Sequence, residues 1–386
     1  MTMIESLKRI LKPKYQTLNK IEILKDNLIH NLNYLYSLQE QAEMFPVLKS
    51  NAYGHGLKEI SKILDKTRVK MVAVDSFPEA QIVYKYFSKD LLILNEMPLK
   101  AYKYSKFKRT EFVVYNQETL RYLAKKFGKK IKIHLFLNTG MNREGIDNLE
   151  KFVNDNLKYI EEVNITGFCS HLSESDNPDS DFNKKQEELF LLGLETLNKY
   201  KIYPKWIHLG NSGGVFLLKN KRLNSFRPGL SFYGYSPFNS PNDFFNSQIA
   251  NLKPALRVFS TITSIHKVKT GERVSYSNSF RAEQDISIAT IPFGYFEGLD
   301  RRLSNCAKFL FTNKNNAFWA KIAGNICMNL TCINCLDREV KLGDEIKLIS
   351  EIKDMDNSIE NLSKKIDIIN YEMLIRLNNS IKRIII

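Results

Sequence analysis

Between residues 44 and 227 the chain repeats one pattern eight times: a short apolar run, a loop, and a helical pattern. The runs are Met44–Leu48, Val69–Val74, Leu91–Leu94, Glu111–Tyr115, Ile131–Leu137, Ile165–Ser170, Lys205–Leu209 and Ser225–Arg227. Helical periodicity fills the gaps, as in Leu57–Lys66, Pro78–Phe87, Gln117–Phe127 and Phe182–Lys201. Strand and helix alternating eight times predicts an α/β fold, a (β/α)8 barrel. A turn-rich stretch, Gly234–Asp243, reads as the exit from the barrel. Beyond it short runs rich in Val, Ile, Thr, Phe and Tyr predominate: Arg257–His266, Ile286–Pro292, Phe309–Phe311, Phe318–Ile322 and Glu345–Leu348, with one helix over Asn357–Lys365. That texture predicts a mainly-β domain. The expected division is 1–248 for the barrel with an N-terminal extension and 249–386 for the β domain. Within the extension, Gln16–Ile23 reads as a strand that could join the C-terminal sheet.

A (β/α)8 barrel gathers its chemistry at the carboxyl ends of its strands. Lys49 follows the first run, where burial among apolar residues would disfavour its ammonium form and leave a nucleophilic amine. Gly54 and Gly56 then permit tight turns. Asn138–Arg143 follows the fifth run, His171 the sixth, Asn211-Ser212-Gly213-Gly214 the seventh, and Arg227-Pro228-Gly229 the eighth. Loops after strands seven and eight commonly cradle phosphate, although the same glycine-rich loop could instead be only a helix start. Ser212 offers a hydroxyl, Gly229 allows close backbone approach, and Tyr53 could add a phenol donor.

The remaining features bound the function class. A net charge of +15 invites a nucleic-acid reading, but the basic residues are spread along the chain and are mostly lysine, so no nucleic-acid partner is expected. No apolar run approaches the length of a membrane span, so no membrane partner is expected. Met1–Tyr15 has four lysines and arginines but no continuous apolar block, which does not fit a secretory signal. The expected location is cytoplasmic. Five cysteines without such a signal read as reduced thiols. Cys332 and Cys335 have zinc-knuckle spacing but lack a second pair, so no metal is expected.

Phe45-Pro-Val-Leu-Lys49-Ser-Asn-Ala-Tyr53-Gly-His-Gly56 closely resembles the lysine motif of the alanine racemases, a pyridoxal-phosphate family. The resemblance continues through Thr139-Gly-Met-Asn-Arg143, Ser170-His171, His208-x-x-Asn211-Ser212 and Arg227-Pro-Gly229-Leu230-Ser-Phe-Tyr-Gly234. It then covers Val274-Ser-Tyr276, Gly294-Tyr295, Gly298–Arg302, Gly324–Met328, Gly343–Ile346 and Asn370-Tyr-Glu372. It implies pyridoxal 5′-phosphate as cofactor, held by Lys49, Tyr53, Arg143, His171, Asn211, Ser212, Arg227, Gly229 and Leu230. It implies Lys49 and Tyr276 as catalytic bases on opposite faces of the substrate, with Arg143 and Met328 meeting a small amino-acid substrate. Arg227 would face the pyridine nitrogen as a permanent donor. It further implies a homodimer whose sites are each completed by the partner's β domain, and a supply of D-alanine for peptidoglycan. A broader amino-acid racemase and a non-catalytic carrier of the cofactor are the alternatives; Tyr276 and the β domain weigh against the carrier.

The chain departs from the family pattern in several places. Where many members carry a carbamate-modified lysine, this chain has Phe136, and the following acidic position is Asn138. Glu297 and Asn329 replace aspartates, and Asn379 aligns with a tyrosine that reaches the phosphate. The support for Arg143 must therefore be different: a bound anion, or none.

Overall fold

The computed structural model describes residues 17–239, 242–313 and 316–386. The Met1–Tyr15 stretch, Gln16, and Ser240 and Pro241 of the barrel exit lie outside the described residues.

Six parallel strands follow one another in sequence order: Met71–Val74, Asp90–Ile93, Thr110–Val114, Lys132–Phe136, Asn164–Cys169 and Trp206–His208. Two short strands, Glu43–Met44 and Ser225–Phe226, pair in parallel with each other. Backbone hydrogen bonds knit this pair to both ends of the six. On one side Leu48 N donates to Ala73 O at 2.7 Å, and Val47 bridges Ala73. On the other, Asn224 N donates to Ile207 O and Arg227 N to Gly210 O. The eight runs thus close into the expected barrel. Runs buried on both faces suit this arrangement, and Met71–Val74 is fully buried along its length.

The helices begin within about two residues of where the sequence predicts. Gln117–Phe127 has the anticipated limits. Phe77–Tyr86 starts in a capping box, Ser76 with Glu79, and carries Pro78 in its first turn.

The second half builds a nine-stranded sheet. Its order runs from Ser264–Val268 through Ile286–Ile291, Thr331–Asn334, Asn316–Ile322, Lys308–Asn313, Glu345–Ile349 and Leu256–Thr261 to Lys20–Ile23 and Lys382–Ile385. Lys20–Ile23 does join this sheet, antiparallel to Leu256–Thr261. The single run expected over Arg257–His266 is two strands that turn at Ile262 and Thr263. Cys332 lies within a strand and Cys335 immediately beyond it, both as free thiols. Among the described residues no helix is long and apolar enough to cross a membrane.

Candidate functional site

The first correction to the sequence reading concerns Lys49. It does not end a strand; it opens a left-handed turn. Ser50, Asn51, Ala52 and Tyr53 all have φ near +54°, with values of 54°, 54°, 53° and 52°. Each such non-glycine residue costs roughly 1–2 kcal/mol, so the surroundings must over-determine the conformation. They do. Ser50 N donates to Glu79 Oε1 at 2.7 Å, and Leu57 N to Asn51 Oδ1 at 2.8 Å. Asn51 Nδ2 donates to Asn379 Oδ1 at 2.6 Å, and Arg383 clasps Gly54 O with Nε and Nη2 at 3.1 and 2.9 Å. Gly54 must be glycine here: a Cβ would lie 2.0 Å from Leu374 O. The C-terminal segment therefore braces the turn that carries Lys49.

Lys49 is not enclosed by apolar groups either. Its side chain is 37% exposed, and Nζ stands 3.7 Å from Asp75 Oδ1. The desolvation expected from sequence is replaced by a carboxylate neighbour, which Asn95 holds through a 2.8 Å hydrogen bond.

A cavity of about 340 Å³ opens beside this turn. Lys49, Tyr53, Arg143, His171, Asn211, Ser212, Arg227 and Gly229 all line it. Leu230 borders the adjoining cleft, which shares Arg143, His171, Asn211 and Ser212. Eight residues from five stretches of the sequence thus meet at one end of the barrel.

At one end of the cavity Ser212 Oγ accepts hydrogen bonds from Gly229 N at 2.9 Å and Ser231 N at 3.2 Å. Asn211 caps the helix Ser212–Leu217, accepting from Gly214 N. The two buried amides converge on the Ser212 oxygen and leave its hydroxyl proton free to donate into the cavity it lines, which suits an anionic oxygen. Gly229 has no room for a side chain: a Cβ would sit 2.4 Å from the phenolic oxygen of Tyr53. Burial raises that phenol well above its ordinary range, keeping it a donor.

Arg227 is buried. It donates to Ser170 O at 2.5 Å, His208 O at 2.9 Å and His171 Nδ1 at 3.3 Å. It also donates to His208 Nδ1. His208 Nε2 lies 2.7 Å from His134 Nδ1, and His134 Nε2 lies 2.8 Å from Glu111 Oε2. An arginine can only donate and a carboxylate can only accept. The N–H groups of both rings therefore point toward Glu111. Burial alone would raise the Glu111 carboxyl, but hydrogen bonds from His134 and Thr166 and the charge of Lys132 hold it at about 2. Burial, then the Arg227 charge, pushes His208 well below its ordinary value. Burial and the charges of Arg227, Arg143 and Lys49 do the same to His171. Both rings remain neutral beside a buried cation.

Arg143 sits on a loop pinned by Asn138. The Asn138 Oδ1 accepts from Gly140 N and Asn142 N, and its amide donates to Asp147. The Phe136 ring packs below, lining the cavity.

Tyr276 and Met328 stand apart from this cavity. They are 68% and 57% exposed on the β domain and line a separate hollow with Tyr295, Asp300 and Arg301. One chain alone does not bring them to Lys49.

Asp75, Asn95, Glu144 and Tyr371 also line the cavity, and nothing in the sequence alone gives them a role there. Tyr371 lay within a recognised block; its ring lies 5.8 Å from that of Tyr53. Among the described residues no group of three or more His, Cys, Asp or Glu could hold a metal ion.

Comparisons with known proteins agree on one family. The model of the alanine racemase N-terminal domain matches residues 23–237, and that of the alanine racemase C-terminal domain matches 255–385. The alanine racemase of Borreliella burgdorferi is 36% identical over 379 residues, covering 95% of this chain and 96% of that protein. The solved alanine racemase of Clostridium difficile 630 superposes with a TM-score of 0.86 at 28% identity, covering 97% of each chain. An alanine racemase from Bartonella henselae with covalently bound pyridoxal phosphate superposes with a TM-score of 0.83 at 25% identity, covering 96% of this chain and 100% of that one. With both halves matched and relatives aligned nearly end to end, the chain belongs to the alanine racemase family.

Proposed function

We propose that this protein interconverts L-alanine and D-alanine with pyridoxal 5′-phosphate, using Lys49 and Tyr276 as its two bases. The observation that carries the reading is the cavity itself: a lysine, an amide-and-hydroxyl cradle and a buried arginine converge around about 340 Å³, in a chain of this family.

The residues fit the cofactor. Ser212, Gly229 and Ser231 would take its phosphate, with Tyr53 donating alongside. Arg227 would meet the pyridine nitrogen as a donor, His171 would pack against the ring, and Asn211 and Leu230 would border the phosphate. When bound, pyridoxal phosphate supplies an electron sink for charge developing at the α-carbon. A donor that holds its own proton leaves the ring nitrogen unprotonated. That makes a weaker sink and limits side reactions such as transamination.

Inversion requires proton removal on one face and return on the other. Lys49 Nζ serves one face. Tyr276 Oη serves the other, from the β domain of a second chain, which accords with its exposure and its distance from Lys49 in sequence and fold. Arg143 and the Met328 backbone meet the substrate carboxylate. The active form on this reading is a homodimer with shared sites. The domains run 1–248 and 249–386, although the strand Lys20–Ile23 pairs with the C-terminal sheet. Such an enzyme would work in the cytoplasm and supply D-alanine for peptidoglycan.

The test is L-alanine in deuterated water with added pyridoxal phosphate. D-alanine carrying deuterium at Cα, strongly reduced in Tyr276→Phe, is the expected result. Alanine that emerges neither exchanged nor inverted while the protein holds the cofactor would overturn the reading.

A further inference from the structure

Arg143 is the residue whose support the sequence leaves open, and the structure supplies that support from an adjacent position. The guanidinium of Arg143 is gripped along one edge by the carboxylate of Glu144: Nη2 donates to Oε1 at 2.5 Å, and Nε donates to Oε2. Both side chains line the cavity that holds Lys49. Glu144 is the more enclosed, 17% exposed against 55% for Arg143. The backbone beneath them has little freedom. Asn138 N donates to Ile146 O, Ile146 N donates to Phe136 O, and Leu137 bridges Ile146. A side chain at Gly145 would come within 2.6 Å of Asn138 N and 2.9 Å of the Phe136 ring.

A guanidinium offers two bidentate edges, Nε–Nη2 and Nη1–Nη2. Glu144 occupies the Nε–Nη2 edge. Among the described residues no hydrogen bond engages Nη1, so the remaining face is left for an incoming anion. Phe136 carries no amine and cannot form a carbamate, so that position supplies no negative charge to steer the arginine. The ion pair also raises the Arg143 pKa, its hydrogen bond to Glu144 outweighing burial, which keeps the cation fixed.

We infer that Glu144 is a positioning residue: its carboxylate fixes the Nε–Nη2 edge of Arg143 from within the chain and presents the opposite face to the cofactor and the substrate carboxylate. This rests on the function proposed above. Arg143 would then be oriented without any bound anion or added carbonate, and its affinity for carboxylates would be set by a neutral pair rather than a free cation.

A double-mutant cycle tests this, read in two ways. Pyridoxal phosphate affinity of the cofactor-free protein is titrated by absorbance, and KM and kcat for L-alanine are separated. The variants are Glu144→Gln, Arg143→Ala and the pair. Gln keeps the shape of Glu144 but removes the charge that holds the guanidinium. The expected result is a KM raised about tenfold or more in Glu144→Gln, with kcat changed much less and cofactor affinity weakened. In the Arg143→Ala background Glu144→Gln should change neither quantity further. Wild-type turnover should be indifferent to added bicarbonate. If Glu144→Gln matches wild type, or if the two substitutions act independently, the inference fails. If wild type does not act on alanine but the cofactor titration still reveals coupling, the Arg143–Glu144 role stands and the proposed function fails instead.

Discussion

Substituting Glu111 by Gln should destabilise the barrel by an amount that depends on pH. The Glu111 carboxyl is held at about 2, against 4.5 for an ordinary glutamate, inside the chain Arg227–His208–His134–Glu111. Each pH unit of difference is worth about 1.36 kcal/mol, so the ionised carboxylate favours the fold by about 3 kcal/mol near neutrality. Gln imitates the protonated carboxyl and forfeits that contribution. The sign follows from the direction of the shift. A depressed carboxyl contributes stability that is full above its unfolded value of 4.5 and fades as pH falls toward 2. The gap between wild type and Glu111→Gln should therefore be about 3 kcal/mol at neutral pH and about 1 kcal/mol near pH 3. Urea unfolding of the cofactor-free protein measures it, followed by tryptophan fluorescence, to which Trp206 contributes from a buried position edge-on to Phe45 at 5.1 Å. A gap below about 1 kcal/mol at neutral pH, or one that stays constant on acidification, would refute the assignment of Glu111 as the charged end of the network.

Other perturbations report on the remaining parts of the site. Gly229→Ala drives a Cβ to within 2.4 Å of the Tyr53 phenol; cofactor affinity in an absorbance titration should fall by about tenfold or more, and unchanged affinity would mean that Tyr53 is not part of the cradle. Arg383→Ala removes the two donors on Gly54 O; unfolding experiments should register a loss of about 2 kcal/mol, with faster amide exchange in residues 50–54, whereas unaltered exchange would show that the left-handed turn holds itself. Ser212→Ala takes away the hydroxyl that bridges Gly229 N and Ser231 N; it should weaken inorganic phosphate and cofactor binding alike, and a loss confined to the cofactor would argue against a phosphate cradle.

Much of the barrel is legible in the sequence because its strands are buried on both faces and its helices carry ordinary start signals. The short strands Glu43–Met44 and Ser225–Phe226 are harder to read: only two residues of each have ladder geometry, and ring closure secures them. Thr331–Asn334 and Lys382–Ile385 are not legible because nothing local separates them from neighbouring loop or tail; pairing with distant strands defines both. The site divides in the same way. Lys49, Ser212 and Arg227 announce themselves through local motifs. The left-handed turn does not, since Ser50, Asn51, Ala52 and Tyr53 include no glycine, and the restraints come from Glu79, Asn379 and Arg383 far along the chain. Glu144 and Asp75 look like ordinary loop acids until folding brings them to the cavity. Glu111 opens one strand run and His134 lies inside another, where an unpaired polar group is costly and a buried partner is to be expected.

The central claim is that a racemase site acting on alanine is shared between two chains, with Lys49 from one and Tyr276 from the other. Remixing two defective proteins tests it most directly. Lys49→Ala and Tyr276→Phe dimers are each dissociated, mixed in equal amounts, reassembled and assayed for conversion of L-alanine to D-alanine. Half of the dimers should then be hybrids with one intact site of two, restoring roughly a quarter of wild-type activity. If hybrids form and no activity returns, the two bases do not come from different chains, and the account is wrong.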